Sequence, residues 1–206
     1  MWIKRAFDIA FSATALLLLA PLLAVIALWV RRDSPGPVIY QQERVGRYGQ
    51  LFRIYKFRTM RVGADAAGPQ ITVGADARIT RAGQFLRRTK LDELPQFANV
   101  LCGDMSVVGP RPEVPKYVAL YPTEVAAQVL SVRPGITDLA SLAYRDESEV
   151  LARSNDPERA YVQEILPAKL QYACQYVRER SLWLDLRIIS RTAAAVFSAP
   201  ADPQKP

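Results

Sequence analysis

The run IAFSATALLLLAPLLAVIALWV, from Ile9 to Val30, holds 22 residues without a single charge. As one helix it extends about 33 Å, enough to cross a hydrocarbon layer about 30 Å thick. The run is long for the apolar core of a secretory leader. Trp29-Val30-Arg31-Arg32 also lacks the small residues of a cleavage site. Two features complicate a simple spanning helix. Pro21 sits mid-run, where proline removes a backbone hydrogen bond and clashes with the preceding turn. Lys4 and Arg5 flank one end and Arg31 and Arg32 the other, so both ends carry the charge signature of the cytoplasmic side. On the residues alone, a kinked spanning helix and a re-entrant helix broken at Pro21 both stand.

Working outward, Asp8 follows Lys4 by four residues and Arg5 by three, so the three share one helix face and predict an ion pair at the entry point. The chain has 206 residues, half of them hydrophobic, which fits one domain with an appendage and excludes a disordered chain. Histidine is absent, and with it every Ser-His-Asp, Cys-His or His-zinc mechanism. Two cysteines, Cys102 and Cys174, form no metal knuckle and read as free thiols. The net charge is +7, but residues 31–90 hold 13 basic against 4 acidic side chains. That excess lies directly after the apolar run. With no nucleic-acid motif present, it points to phosphate or anionic lipid, or to a plain solvated face.

Ser34-Pro35-Gly36-Pro37 is a turn. Val38–Gln42 and Leu51–Arg58, separated by Gly46 and Gly49, read as a hairpin, and the second strand carries one basic face. Residues 61–77 read as a loop, and 78–88 as a basic helix. A helix over about 91–101 ends at Gly103, a left-handed cap. Gly109-Pro110-Arg111-Pro112 is rigid and non-helical, and Pro134-Gly135 is a turn. Helices are expected at about 115–121, 123–131, 142–152 and 158–180. Leu182–Phe197, with Trp183 near its start and Arg187 and Arg191 four apart, fits an amphipathic interfacial helix and a core helix equally. The domain boundaries follow: 1–33 for the apolar helix, 34–198 for the catalytic body and 199–206 for a tail.

The adjacent carboxylates Asp92 and Glu93 are the chemical candidates. Pro95 is tolerated only in a first helical turn, so the helix should begin near Leu91 and present both carboxylates to its positive end. Thr89 and Asp92 also have the spacing of a capping box, a purely structural alternative. Around them lie Arg87, Arg88, Lys90, Arg111, Lys56 and Arg58. A carboxylate among cations stays ionised and needs no general base to attack phosphorus. Arginine forks hold phosphate oxygens, and Mg²⁺ takes one or two carboxylates plus substrate phosphates. This chemistry points to phosphoryl transfer at a membrane surface.

With these residues in view, the sequence resembles the bacterial sugar transferases known as monotopic phosphoglycosyl transferases. The shared elements run from about Lys4 to Thr192. They are the proline-centred apolar run, Tyr55-Lys56-Phe57-Arg58-Thr59-Met60, Leu91-Asp92-Glu93-Leu94-Pro95-Gln96, and the segment from Asn99 through Gly103-Asp104-Met105-Ser106 to Gly109-Pro110-Arg111-Pro112. Arg133-Pro134-Gly135-Ile136-Thr137 and the Tyr176…Ser181…Asp185-Leu186 segment complete them. The resemblance implies an α+β, membrane-associated (monotopic) fold with a re-entrant N-terminal helix, a small β-hairpin and interfacial helices, at the cytoplasmic face of the bacterial inner membrane. It implies transfer of a sugar-1-phosphate from a UDP-sugar to polyprenyl (undecaprenyl) phosphate, with Mg²⁺ as cofactor. Asp92 would be the nucleophile. Glu93 would assist the lipid phosphate or help hold Mg²⁺, and Arg111, Lys56, Arg58 and Arg87 would contact substrate phosphates. Ala20-Pro21 replaces the frequent Ser-Pro. Asp138-Leu139 replaces the frequent Gly-Trp after Pro-Gly-Ile-Thr. The competing expectations are a non-catalytic membrane module that binds anionic lipid or a partner, and a hydrolase using the same aspartyl intermediate.

Overall fold

The computed structural model describes residues 2–64, 76–144 and 147–197. Among these residues it is a helix-rich α+β fold with one long apolar helix, α1 (Trp2–Asp33), and two small two-stranded sheets. Helical structure in α1 runs uninterrupted through Pro21. The expected break is therefore corrected. Proline deletes one hydrogen bond there, and the bonds on either side carry the helix past it.

Both ends of α1 dock on the same body. At the start, Lys4 Nζ lies 2.7 Å from Asp185 Oδ2 and 3.5 Å from Asp8 Oδ1, so the expected Lys4–Asp8 pair forms. Asp8 is buried and accepts from the Ser106 hydroxyl at 2.8 Å and the Val107 N–H at 3.2 Å. Arg5 donates to the Val100 carbonyl at 2.8 Å. At the other end, Ile26 and Val30 are buried against Phe57 and Leu86, each contributing about 1.5–3 kcal/mol by burial. Between these anchors Leu17 and Leu18 are 76% and 73% exposed.

The hairpin forms as expected, with β1 (Ile39–Val45) antiparallel to β2 (Leu51–Phe57) and Gln42 opposite Ile54. Strand β1 runs three residues beyond the sequence expectation. Helix α2 (Arg81–Thr89) is capped by the Thr80 side chain, which accepts from the Gly83 N–H. Helix α3 (Gln96–Cys102) ends at Gly103, whose φ of 97° is the expected left-handed cap. A second sheet was not foreseen: β3 (Ser106–Val108) lies parallel to β4 (Gly135–Thr137). Gly109 and Gly135 meet there so closely that a Cβ on Gly135 would stand 2.1 Å from the Gly109 nitrogen.

Further along the chain lie helices α4 (Pro115–Val118), α5 (Thr123–Val129), α6 (Leu139–Ala143), α7 (Glu147–Ala152) and α8 (Pro157–Ala160). A π turn, Tyr161–Ile165, joins α8 to α9 (Leu166–Glu179), and α10 (Leu182–Phe197) follows. Val100, Met105, Val108, Tyr176 and Ile188 gather α3, β3, α9 and α10 into one core. Helix α10 matches its expected bounds and is a core helix on one face. Asp185 and Ile188 face inward, while Trp183 and Leu186 remain exposed. Much of the 61–77 loop and the whole 199–206 tail lie outside the described residues.

Candidate active site

The Asp92–Glu93 pair does not sit in a first helical turn as expected. Helix α2 stops at Thr89, and Lys90 turns the chain with a left-handed φ of 59°. Leu91–Glu93 then form a single 3-10 turn, Pro95 is the N-cap of α3, and the helix starts at Gln96. The capping-box reading also fails. The Thr89 hydroxyl donates backward to the Phe85 carbonyl at 2.8 Å and lies 3.3 Å from that of Leu86. The carboxylates thus occupy a tight link between two helices, fixed from both sides.

The two neighbours have opposite surroundings. Glu93 Oε1 receives Lys56 Nζ at 2.9 Å and Arg111 Nη2 at 2.5 Å, and its Oε2 receives Arg111 Nη1 at 3.3 Å. Burial pushes the Glu93 carboxyl up, but the Arg111 and Lys56 charges outweigh it and hold the group well below the usual carboxylate range. Glu93 in turn raises Arg111 above its ordinary value. Lys56 is lowered, chiefly by burial, with Glu93 opposing. Asp92 is 6% exposed, and its Oδ1 accepts no hydrogen bond among the described residues. Burial raises its carboxyl above the ordinary value; Lys56 opposes this and Glu93 adds to it. The sequence led us to expect that surrounding cations would keep Asp92 low. Instead, burial outweighs Lys56, Lys90 and Arg87, and Lys56 is itself paired with Glu93.

Three elements bring the cations together. Lys56 stands on β2 opposite Tyr40. Arg111 lies on the proline-bounded segment after β3, where Arg44 donates to the Pro112 carbonyl at 2.9 Å. Arg87 comes from the last turn of α2. Lys56, Arg87, Glu93 and Arg111 line one cleft of about 970 Å³. Asp92 is not among the lining residues, but its chain neighbours Leu91 and Glu93 are. Arg44 lines the cleft too and was missed in the sequence, because the strand was read as ending at Gln42 and its basic residue fell in the turn. Phe11, Ala15 and Leu19 of α1 and Ile189 and Ala193 of α10 form an apolar wall of the same cleft. No sequence signal joined those two helices.

Arg58 is the correction. It was expected at a substrate phosphate, but it is buried. Its guanidinium donates to the Ser34 and Pro35 carbonyls at 2.6 Å each, with the Val30 carbonyl at 3.4 Å. It closes the C-terminal end of α1, where helix carbonyls lack intrahelical partners. Gly36 permits this approach, since a Cβ there would lie 2.1 Å from Arg58 Nη1.

Among the described residues no three His, Cys, Asp or Glu side chains cluster as an all-protein metal site. Mg²⁺ usually needs only one or two carboxylates beside substrate phosphates. The orphaned Asp92 Oδ1 fits that role. Glu93, with three donors on its two oxygens, does not.

A cleft lined by both cationic and apolar side chains, next to a buried carboxylate, is chemically suited to a molecule that carries both phosphate and hydrocarbon. The chain belongs to the bacterial sugar transferase family, whose model matches residues 1–199. It is 39% identical over 198 residues to the UDP-glucose:undecaprenyl-phosphate glucose-1-phosphate transferase of Escherichia coli (strain K12), covering 95% of this chain and 40% of that protein. It is 37% identical over 199 residues to the UDP-N-acetylgalactosamine-undecaprenyl-phosphate N-acetylgalactosaminephosphotransferase of Aeromonas hydrophila, covering 96% and 44%. The exopolysaccharide production protein PSS of Rhizobium leguminosarum bv. phaseoli is 42% identical over 199 residues, covering 94% of both chains. The chain thus spans about two-fifths of the length of the first two relatives and nearly all of the third.

Proposed function

We propose that this protein transfers a sugar-1-phosphate from a UDP-sugar to polyprenyl phosphate, producing polyprenyl-diphosphate-sugar and UMP. The observation that carries this reading is the buried Asp92, whose Oδ1 accepts no hydrogen bond among the described residues, adjacent to a Glu93 clamped by Lys56 and Arg111. Family membership and the names of the relatives support the substrate classes.

In the first step an Asp92 carboxylate oxygen attacks the β-phosphorus of the UDP-sugar. The bond from that phosphorus to the bridging oxygen breaks, and UMP leaves with the bond electrons. In the second step an oxygen of the polyprenyl phosphate attacks the same phosphorus, the aspartyl–phosphorus bond breaks, and the carboxylate is restored. Neither step needs an imidazole. Held ionised by its two cations, Glu93 is too weak a base to take a proton. It orients Arg111 and Lys56 toward the phosphoryl oxygens, with Arg87 as a further cation in the cleft. When bound, Mg²⁺ would sit on Asp92 and the substrate phosphates and neutralise developing negative charge.

The proposal includes topology. Helix α1, continuous through Pro21, embeds in the cytoplasmic face of the bacterial inner membrane with both of its ends on that side, making the protein monotopic. Both ends of α1 dock on one body, and the leucines between them are exposed.

UMP release measured with a panel of UDP-sugars, Mg²⁺ and undecaprenyl phosphate tests the reaction. We expect lipid-dependent release with at least one donor, lost in Asp92→Asn. Release by Asp92→Asn at the wild-type rate, or no release with any donor, would overturn the reading.

A further inference from the structure

Pro110 and Pro112 have no N–H, so Arg111 supplies the only backbone donor between Gly109 and Glu113. That donor goes to a side chain. The Arg111 N–H donates to Asp138 Oδ2 at 3.1 Å, while Asp138 Oδ1 accepts from the Ser141 N–H at 2.6 Å. Asp138 is buried, follows β4 directly and is the N-cap of α6. One carboxylate thus ties the start of α6 to the residue whose guanidinium grips Glu93.

The rest of the segment is braced by backbone and by Arg44. The Gly109 N–H donates to the Thr137 carbonyl at 3.1 Å, the Gly135 N–H to the Pro110 carbonyl at 2.9 Å, and Arg44 holds the Pro112 carbonyl. Asp138 completes this frame at its centre. A helix N-cap needs only one side-chain oxygen, which Ser, Thr or Asn supplies equally well. The second oxygen is therefore surplus to capping, and it is the one that reaches Arg111.

We infer that Asp138 is a positioning residue for the transfer reaction, acting through the backbone of Arg111 to aim its guanidinium at Glu93 and the substrate phosphate. The inference rests on the proposed transferase reading for its kinetic consequences, but not for its geometry. Small displacements of a phosphate-gripping group cost rate steeply, on the order of 100-fold for about 1 Å.

The test uses Asp138→Asn and Asp138→Thr in the full chain. Each keeps an oxygen for the Ser141 N–H, and neither can accept from Ser141 and Arg111 together. Amide hydrogen exchange should show the Arg111 N–H exchanging at least about tenfold faster in both variants. The thermal midpoint should stay within about 3 °C of wild type, since the cap survives. In the UMP-release assay kcat/KM should fall about 10- to 100-fold. Combined with Arg111→Lys, the Asp138→Asn loss should overlap with the Arg111 loss instead of multiplying it. Unchanged exchange at Arg111, or an Asp138→Asn loss equally large in the Arg111→Lys background, would overturn the inference. Should wild type release no UMP with any donor, the transferase reading fails by itself, and the exchange measurement still decides whether Asp138 pins Arg111.

Discussion

Asp92 and Glu93 are adjacent, chemically alike and pushed in opposite directions by what surrounds them. For Glu93, whose folded pKa lies below its unfolded value, the linkage is favourable. Its ion pairs stabilise the fold above the ordinary carboxylate pKa and lose that contribution as pH falls through the depressed value. For Asp92, raised in the folded state, the sign reverses. Its stabilising contribution is full below the unfolded pKa and is lost as pH rises through the folded value, where an ionised carboxylate must be buried with an unsatisfied oxygen. Two outcomes follow. Asp92→Asn should unfold at a higher temperature than wild type at neutral pH, by roughly 2–8 °C for about 1–2 kcal/mol, while transferring nothing. Differential scanning calorimetry beside the release assay reads both. On acidification, transfer should decline as Asp92 takes a proton, while Glu93 is still ionised. A pH–rate profile showing one acidic limb above the ordinary aspartate pKa, and absent from binding of UDP alone, would bear this out. The sequence could place both carboxylates near a helix start and cations nearby. It could not apportion those cations, because Lys56 and Arg111 arrive from β2 and from the segment after β3.

At the scale of elements, regular patterns were legible and short ones were not. The hairpin showed its alternation, α10 its apolar run, and the end of α3 its glycine. The β3–β4 pair was invisible because three-residue strands have no periodicity to detect, and their pairing depends on two glycines meeting across 26 positions of sequence. The helix start at Gln96 was misplaced because Pro95 is as acceptable at an N-cap as in the first turn. Arg58 was misassigned for a related reason. A buried guanidinium that closes a helix and one that grips phosphate look identical in sequence. We expect Arg58→Lys to destabilise the protein by about 1–3 kcal/mol, since an ammonium cannot reproduce a fork reaching the Ser34 and Pro35 carbonyls together. The folded fraction should keep the wild-type KM for the UDP-sugar, whereas a phosphate contact at Arg58 would raise it. Gly83→Ala is the harsher change. The added Cβ would stand 2.0 Å from the Thr59 carbonyl oxygen, so α2 must move away from the strand end. Soluble yield and thermal midpoint should both fall sharply.

At the scale of the whole molecule, α1 is fastened at both ends to one body. Single cysteines at Ile3 and Arg32, in a chain with Cys102 and Cys174 replaced, should both react with an impermeant thiol reagent from the cytoplasmic side of membrane vesicles. Opposite-side labelling would refute the re-entrant topology. What the sequence announced correctly was one long apolar helix over this run, with Lys4 paired to Asp8. What it concealed was that α1 and α10 share a wall of the active-site cleft, since helices so far apart in the chain carry no mark of their contact.

The contact between Lys4 and Asp185 spans 181 positions, and that separation orders the protein's synthesis. The first helix leaves the ribosome long before its partner exists. An apolar helix cannot wait in water, so on the proposed topology it is already in the bilayer when residue 185 is made. During that interval Asp8 and Lys4 have only each other and water. The last helix must therefore travel to the membrane to find the first, and the cleft acquires its apolar wall only then. On the proposed function, catalytic competence then arrives late and at the membrane surface, and a nascent chain neither binds nor consumes the proposed substrates before it is seated there.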